Sequence, residues 1–137
     1  IIDLAAAAGI SDANEFHANK LTDTNHSAHR LIFEEAAHPQ LQSFWQPPLG
    51  MNEEYCRAGL MDMLPKLASI HVYHWISADG KIDMHPLADG ASSWQRYFAI
   101  AAGTGREHFA CMEFFKDNSE AQFTADAATL HRLIGKN

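Results

Sequence analysis

The sequence predicts an α/β protein built on parallel strands, and three observations point that way. After an opening helix, strand-like and helix-like stretches alternate four times, and repeated βα units imply parallel strands with helices outside. Each strand-like stretch is a short apolar run bounded by Pro, Gly or polar clusters. Each run also carries one polar residue near its end: Glu15 in "EFHANKLTDT", Gln46 in "FWQPP", His71 in "IHVYHW" and Glu113 in "CMEFF". Four such strands can make an open sheet or half of an eight-stranded β/α barrel.

The elements follow in order. Residues 1–9 read as a helix stopped by Gly9. Residues 12–17 read as a short strand. Thr24 or Asn25 caps a helix to about Ala37, with Leu31, Ile32 and Phe33 on its apolar side and His38-Pro39 ending it. Residues 41–46 form a strand stopped by Pro47-Pro48. Asn52 caps a helix to about Leu64, closed by Pro65. Residues 68–75 are the clearest strand. The stretch "SADGKIDMHPLADGAS" reads as a polar loop, with turns at Asp79-Gly80 and Asp89-Gly90. Ser92 or Ser93 caps a helix over 94–103. Residues 108–115 form the last strand, and Ser119 caps a helix to about Ile134, ended by Gly135.

The chain has 137 residues, 47% of them hydrophobic, which suits one domain, 1–137, with one core. Its net charge of −7 and unclustered Lys and Arg argue against a nucleic-acid partner. No stretch approaches the ~18–20 apolar residues of a membrane span. Two cysteines make neither a disulfide framework nor a zinc pattern, so a cytoplasmic location is expected. Cys56 reads as helix filler and Cys111 as interior. The first residue is Ile, and the opening helix lacks a cap, so a fragment of a longer protein is expected.

At the carboxyl ends of parallel strands, polar side chains meet on the face where α/β proteins place their sites. Alternation puts Glu15 on a face with His17, His71 with Tyr73, and Glu113 with Cys111 and Phe109. Two carboxylates, an imidazole and an amide oxygen on one barrel interior suit a divalent ion such as Mn²⁺, Mg²⁺ or Co²⁺. Such an ion polarises a carbonyl, and a carboxylate beside it removes a proton from the adjacent carbon. Singly, each residue has a plainer role: a solvated glutamate, a hydrogen-bonded core histidine, a glutamine satisfying loop backbone. The recurrence on all four strands is what favours a site.

These motifs together resemble the xylose isomerase-like TIM barrel family of sugar phosphate isomerases and epimerases, over essentially the whole chain. "EFHANKLTDT" looks like the family's strand five with its metal-binding glutamate. "IHVYHW" is similar to the "HVKDW"-like strand seven and "HPLADGASSW" to the "PLGEG–W" loop after it, with Trp94 entering the next helix. "CMEFFKDNS" resembles strand eight. The resemblance implies the C-terminal half of a TIM barrel, strands five to eight. It implies a metal-dependent isomerase or epimerase acting by proton abstraction through an enediolate. Glu15, Gln46, His71 and Glu113 would be the metal ligands, and Glu15 and Glu113 would exchange the proton. The family's strand six ends in Asp where this chain has Gln46, and His74 stands where "HVKDW" has Asp.

His17, His85, Trp45 and Lys116 are further expected contacts to a small sugar or polyol, with Trp75 at the pocket rim. A lyase that dehydrates a keto-polyol on the same scaffold is the alternative enzyme. A sugar-binding relative without catalysis is the alternative outside enzymes, and Gln46 favours it. Four βα units leave two open sheet edges, so either a missing N-terminal half-barrel or self-association is expected to cover them. The chain alone is expected to be weakly active or inactive.

Overall fold

The computed structural model describes residues 1–15 and 27–135, and the backbone of residues 25 and 26. In chain order the elements are α1 (Ile2–Ala7), β1 (Asp12–Asn14) and α2 (Asn25–His29), which runs into a π-helical segment, Arg30–Glu35. Then come β2 (Leu41–Trp45), α3 (Glu53–Met63) and β3 (Leu67–Val72). A hairpin of β4 (Trp75–Ala78) and β5 (Lys81–Met84) precedes α4 (Ala91–Ala102), β6 (Phe109–Met112) and α5 (Glu120–Leu133). The main sheet has the order β1-β2-β3-β6, and every neighbouring pair is parallel.

Local chemistry accounts for the helix ends. The Asn52 side chain accepts a hydrogen bond from the Tyr55 N–H at 2.9 Å, and Glu53 and Glu54 complement the helix dipole in the first turn of α3. Pro65 sits in a 3-10 turn, Leu64–Lys66, that closes α3. Ser119 caps α5 by accepting from the Gln122 N–H at 3.2 Å.

Several boundaries differ from the sequence reading, the last strand among them, since it ends at Met112 and not at 115. The strand placed at 68–75 ends at Val72, and the chain reverses from Trp75 into the hairpin. The stretch read as a polar loop therefore holds two strands. Asp79 and Gly80, with φ of 51° and 74°, make the primed turn that joins them. Neither Ser92 nor Ser93 caps α4, because a 3-10 turn, Leu87–Gly90, already carries the chain into the helix. Ser93 instead donates to Glu53 Oε2 at 3.0 Å. That turn is anchored from below, where the Leu87 N–H and the Gln122 side-chain amide both donate to the buried Asp126 Oδ1, at 2.9 and 2.8 Å.

The hydrophobic core lies on one side of the sheet. Trp45, Ile70 and Val72 pack with Ile32, with Leu60 and Met63 of α3, with Trp94 and Tyr97 of α4, and with Leu130 of α5. The opposite face carries Phe44, His71, Cys111 and Phe109, as the pairs Ser69↔Phe109 and His71↔Cys111 require. Phe109 is 76% exposed there. Cys111, expected inside, is exposed for the same reason: no layer of described residues covers this face. Cys56 is buried. No helix among the described residues is long and apolar enough to cross a membrane.

Candidate metal centre

Strand geometry brings three of the strand-end residues together. Glu15 directly follows β1, His71 is the penultimate residue of β3, and Glu113 directly follows β6. The parallel register keeps the carboxyl ends of these strands level, and the Glu113 N–H extends the ladder by donating to the Val72 carbonyl at 3.3 Å. His71 Nδ1 lies 3.2 Å from Glu113 Oε2 and 3.3 Å from Glu15 Oε1. The side chains are half-buried, and Phe44 stacks obliquely on the His71 ring at 4.8 Å.

One Nδ1–H donates one good hydrogen bond, yet two carboxylate oxygens flank this nitrogen at nearly equal distance. Two carboxylates this close repel one another unless a positive charge lies between them. The chemistry of the donor set fits a cation: the three ligand atoms lie within 4.8 Å of one another. Cis ligands of an ion bound at about 2.1 Å stand about 3 Å apart. The spacing around His71 Nδ1 matches that value.

Gln46 directly follows β2, the strand between those that carry Glu15 and His71, and it is 6% exposed. Since Trp45 pairs with Ile70 on the core side, alternation places Gln46 on the side of His71. Trp45 is therefore turned away from the site. It is fully buried, edge-on to Trp94 and Tyr97 with centroids 6.4 and 5.1 Å away, and its expected role as a substrate contact is corrected to a place in the core.

The remaining candidates lie in the loops beyond the strands. His85 follows β5, with Nδ1 3.6 Å from Asp89 Oδ2 and its ring edge-on to His74 at 6.4 Å. Lys116 opens a 3-10 turn, Lys116–Asn118, three residues beyond Glu113. His17 lies outside the described residues, as do Thr24 and the end of the strand placed at 12–17.

The structure adds residues that sequence reasoning gave no role. The Tyr73 hydroxyl donates to the Pro47 carbonyl at 2.9 Å. Burial, reinforced by the nearby charges of Glu113 and Glu15, pushes this phenol well above its usual value, so it stays a donor. Trp75 and Phe114 pack against its ring. His74 lies against Gly90, and burial pushes its imidazole below the usual histidine value.

Similar solved structures agree with this architecture. A xylose isomerase-like TIM barrel protein from Mycobacterium smegmatis, crystallised with magnesium, superposes with a TM-score of 0.75 at 16% identity, over 98% of this chain and 47% of its own. The fold is half of a TIM barrel. The probable 3-DHS dehydratase AsbF from Bacillus anthracis, involved in petrobactin synthesis, matches the half-barrel with a TM-score of 0.72 at 23% identity, over 96% of this chain and 52% of its own. The chain thus spans about half the length of the solved structures it matches. No protein-family profile and no curated protein matches it in sequence. The half-barrel places Glu15, His71 and Glu113 where such folds place their sites, at the carboxyl ends of the strands.

Proposed function

We propose that this half-barrel carries the metal-binding part of an enzyme that isomerises or epimerises a sugar or related polyol. The observation that carries the reading is the convergence of Glu15 and Glu113 on one nitrogen of His71. The magnesium in the Mycobacterium smegmatis neighbour supports it. Glu15, His71 and Glu113, with the Gln46 amide oxygen as a fourth donor, would hold a divalent ion such as Mn²⁺, Mg²⁺ or Co²⁺. Two carboxylates, an imidazole and an amide balance a 2+ charge, whereas an acidic residue at position 46 would leave one negative charge over and a tighter grip.

When bound, the ion supplies charge stabilisation for an oxygen that turns anionic on the substrate. The chain's own residues handle the proton. In an isomerisation one carboxylate, Glu15 or Glu113, would take the proton from the carbon beside the carbonyl and hand the same proton to the neighbouring carbon; in an epimerisation one would take it and the other, having first picked up a proton from solvent, would give that proton to the opposite face. His85 and Lys116, in the loops after β5 and β6, are the proposed contacts to the rest of the substrate. The opposite pocket wall would come from a second half-barrel, as the exposed Phe109 face suggests. The isolated chain is therefore expected to turn over slowly or not at all.

Calorimetric titration with Mn²⁺ tests the site directly. Micromolar binding by the wild type, abolished in His71→Ala, is expected; equal binding by both, or none by either, would overturn the reading. Deuterium wash-in from D₂O beside the carbonyl of a ketose, followed by NMR, tests the proton transfer. A dehydratase is the second reading, favoured by the Bacillus anthracis neighbour. The same proton abstraction would then expel a hydroxyl as water, and mass spectrometry would find a product lighter by one water. Metal and sugar binding without wash-in would identify a binding protein instead.

A further inference from the structure

We infer that Tyr73 is a positioning residue whose hydroxyl, through the Pro47 carbonyl, holds Gln46 at the metal centre. The inference rests on the metal reading above and assigns a task to a residue that touches neither metal nor substrate.

The segment Gln46-Pro47-Pro48 has a structural problem. Proline has no backbone N–H, so beyond Gln46 the chain cannot donate to the β3 ladder. Only the carbonyls can be held. Tyr73 takes the Pro47 carbonyl, 2.9 Å from its hydroxyl, and so fixes the residue next to Gln46.

The tyrosine is itself firmly placed. It is 4% exposed and lies two residues beyond His71. Its ring meets Trp75 edge-on at 6.0 Å and tilts against Phe114 at 5.7 Å, and Trp75 and Phe114 touch each other at 5.8 Å. Phe114 directly follows Glu113. One ring therefore ties together the ends of β2, β3 and β6, which carry Gln46, His71 and Glu113. The backbone after β3 is held as well, because the Trp94 indole N–H donates to the Tyr73 carbonyl at 2.9 Å. Phenylalanine at position 73 would keep all of the ring packing and remove only the hydrogen bond to Pro47.

The test is a double-mutant cycle read by Mn²⁺ calorimetry on the wild type, Tyr73→Phe, Gln46→Leu and the double variant, with His71→Ala as the control for the site. Groups that orient metal ligands typically contribute about 10- to 100-fold to affinity. Tyr73→Phe is expected to weaken Mn²⁺ binding on the order of 10-fold. The double variant is expected to bind no more weakly than Gln46→Leu alone, because the hydroxyl acts through that amide. The electron paramagnetic resonance spectrum of bound Mn²⁺ should change in the same way in both single variants. A tyrosine that merely stabilised the fold would lower the unfolding midpoint and leave that spectrum unchanged. If His71→Ala loses Mn²⁺ but Tyr73→Phe binds like the wild type, or the two factors multiply in the double variant, the positioning role is overturned and the metal reading stands. If the wild type binds no Mn²⁺, or His71→Ala binds like the wild type, both fall together.

Discussion

Adding a single methyl group at Gly90 should damage the loop beside the site. The backbone there, at φ −96° and ψ 6°, is open to any L-residue, so conformation does not require glycine. The His74 ring does. A Cβ on residue 90 would collide with His74 Nδ1 and stand 2.8 Å from Cγ and 2.9 Å from Cε1. Because Cγ lies on the bond about which the ring turns, rotating the ring moves Nδ1 and Cε1 but leaves the contact with Cγ, so the whole side chain must shift. Gly90 cannot withdraw easily either, since Asp126 pins its turn at Leu87. Overpacking of this kind costs about 1–3 kcal/mol. The stiffer unfolded chain of an alanine variant returns about 0.4–1 kcal/mol. Gly90→Ala is therefore expected to lose about 1–2 kcal/mol and to melt several degrees lower. Urea unfolding followed by circular dichroism measures the loss, and Gly90→Ala combined with His74→Ala should be less damaged than the sum of the two single changes. A Gly90→Ala protein as stable as the wild type would refute the contact.

Other consequences are equally direct. Leu60, fully buried between α3 and the sheet, should lose about 2–5 kcal/mol on change to Ala, read from the urea midpoint. Gly80→Val, forced into a φ of 74°, should open the β4–β5 turn and speed proteolysis at residues 79–80 while the thermal midpoint of the core barely moves. Stability should also depend on pH through His74. Burial holds its imidazole below the usual 6.5 against the opposing pull of Asp89 and Asp126, while His85 acts with burial. The unfolded chain therefore binds the proton first as pH falls, so this contribution is complete above about pH 6.5 and is lost below it. Urea midpoints between about pH 8 and 5 should fall less steeply in His74→Asn than in the wild type.

The order of elements was legible because each carries its own periodicity and stop signal. Asn52 and Ser119 cap where their residue types say they should, and Pro65 closes its helix. The hairpin was harder to see. Its two strands hold four residues each: β4 shows no alternation, and the polar–apolar alternation of Lys81–Met84 is too short to stand out in a polar stretch, with Ile82 left exposed. The Asp79-Gly80 pair was a sufficient turn signal, but one turn does not announce strands on both sides. The start of α4 was misplaced for a different reason: the two serines suit a cap, yet the 3-10 turn before them depends on Asp126, far along the chain.

The site divides along the same physical line. Alternation and the parallel fold suffice to bring Glu15, His71 and Glu113 to one face, so these three could be read from spacing. The same rule should have separated Trp45 from Gln46, since adjacent residues of a strand face opposite ways, and Trp45 does lie in the core. Cys111 was misjudged because an inner-face position is buried only when something covers that face. Alternation also put Tyr73 beside His71, but its partner Pro47 is set by where the β2–α3 loop runs, and no periodicity encodes that. The contact of Gly90 with His74 is of the same kind: one ends the 3-10 turn before α4, the other lies between β3 and β4, and their meeting follows only once β3, α4 and α5 have packed. What the chain pattern conveys is which side chains share a face. What surrounds those side chains is decided by residues whose neighbours come from elsewhere in the sequence, as the hydrogen bond from Tyr73 to Pro47 is.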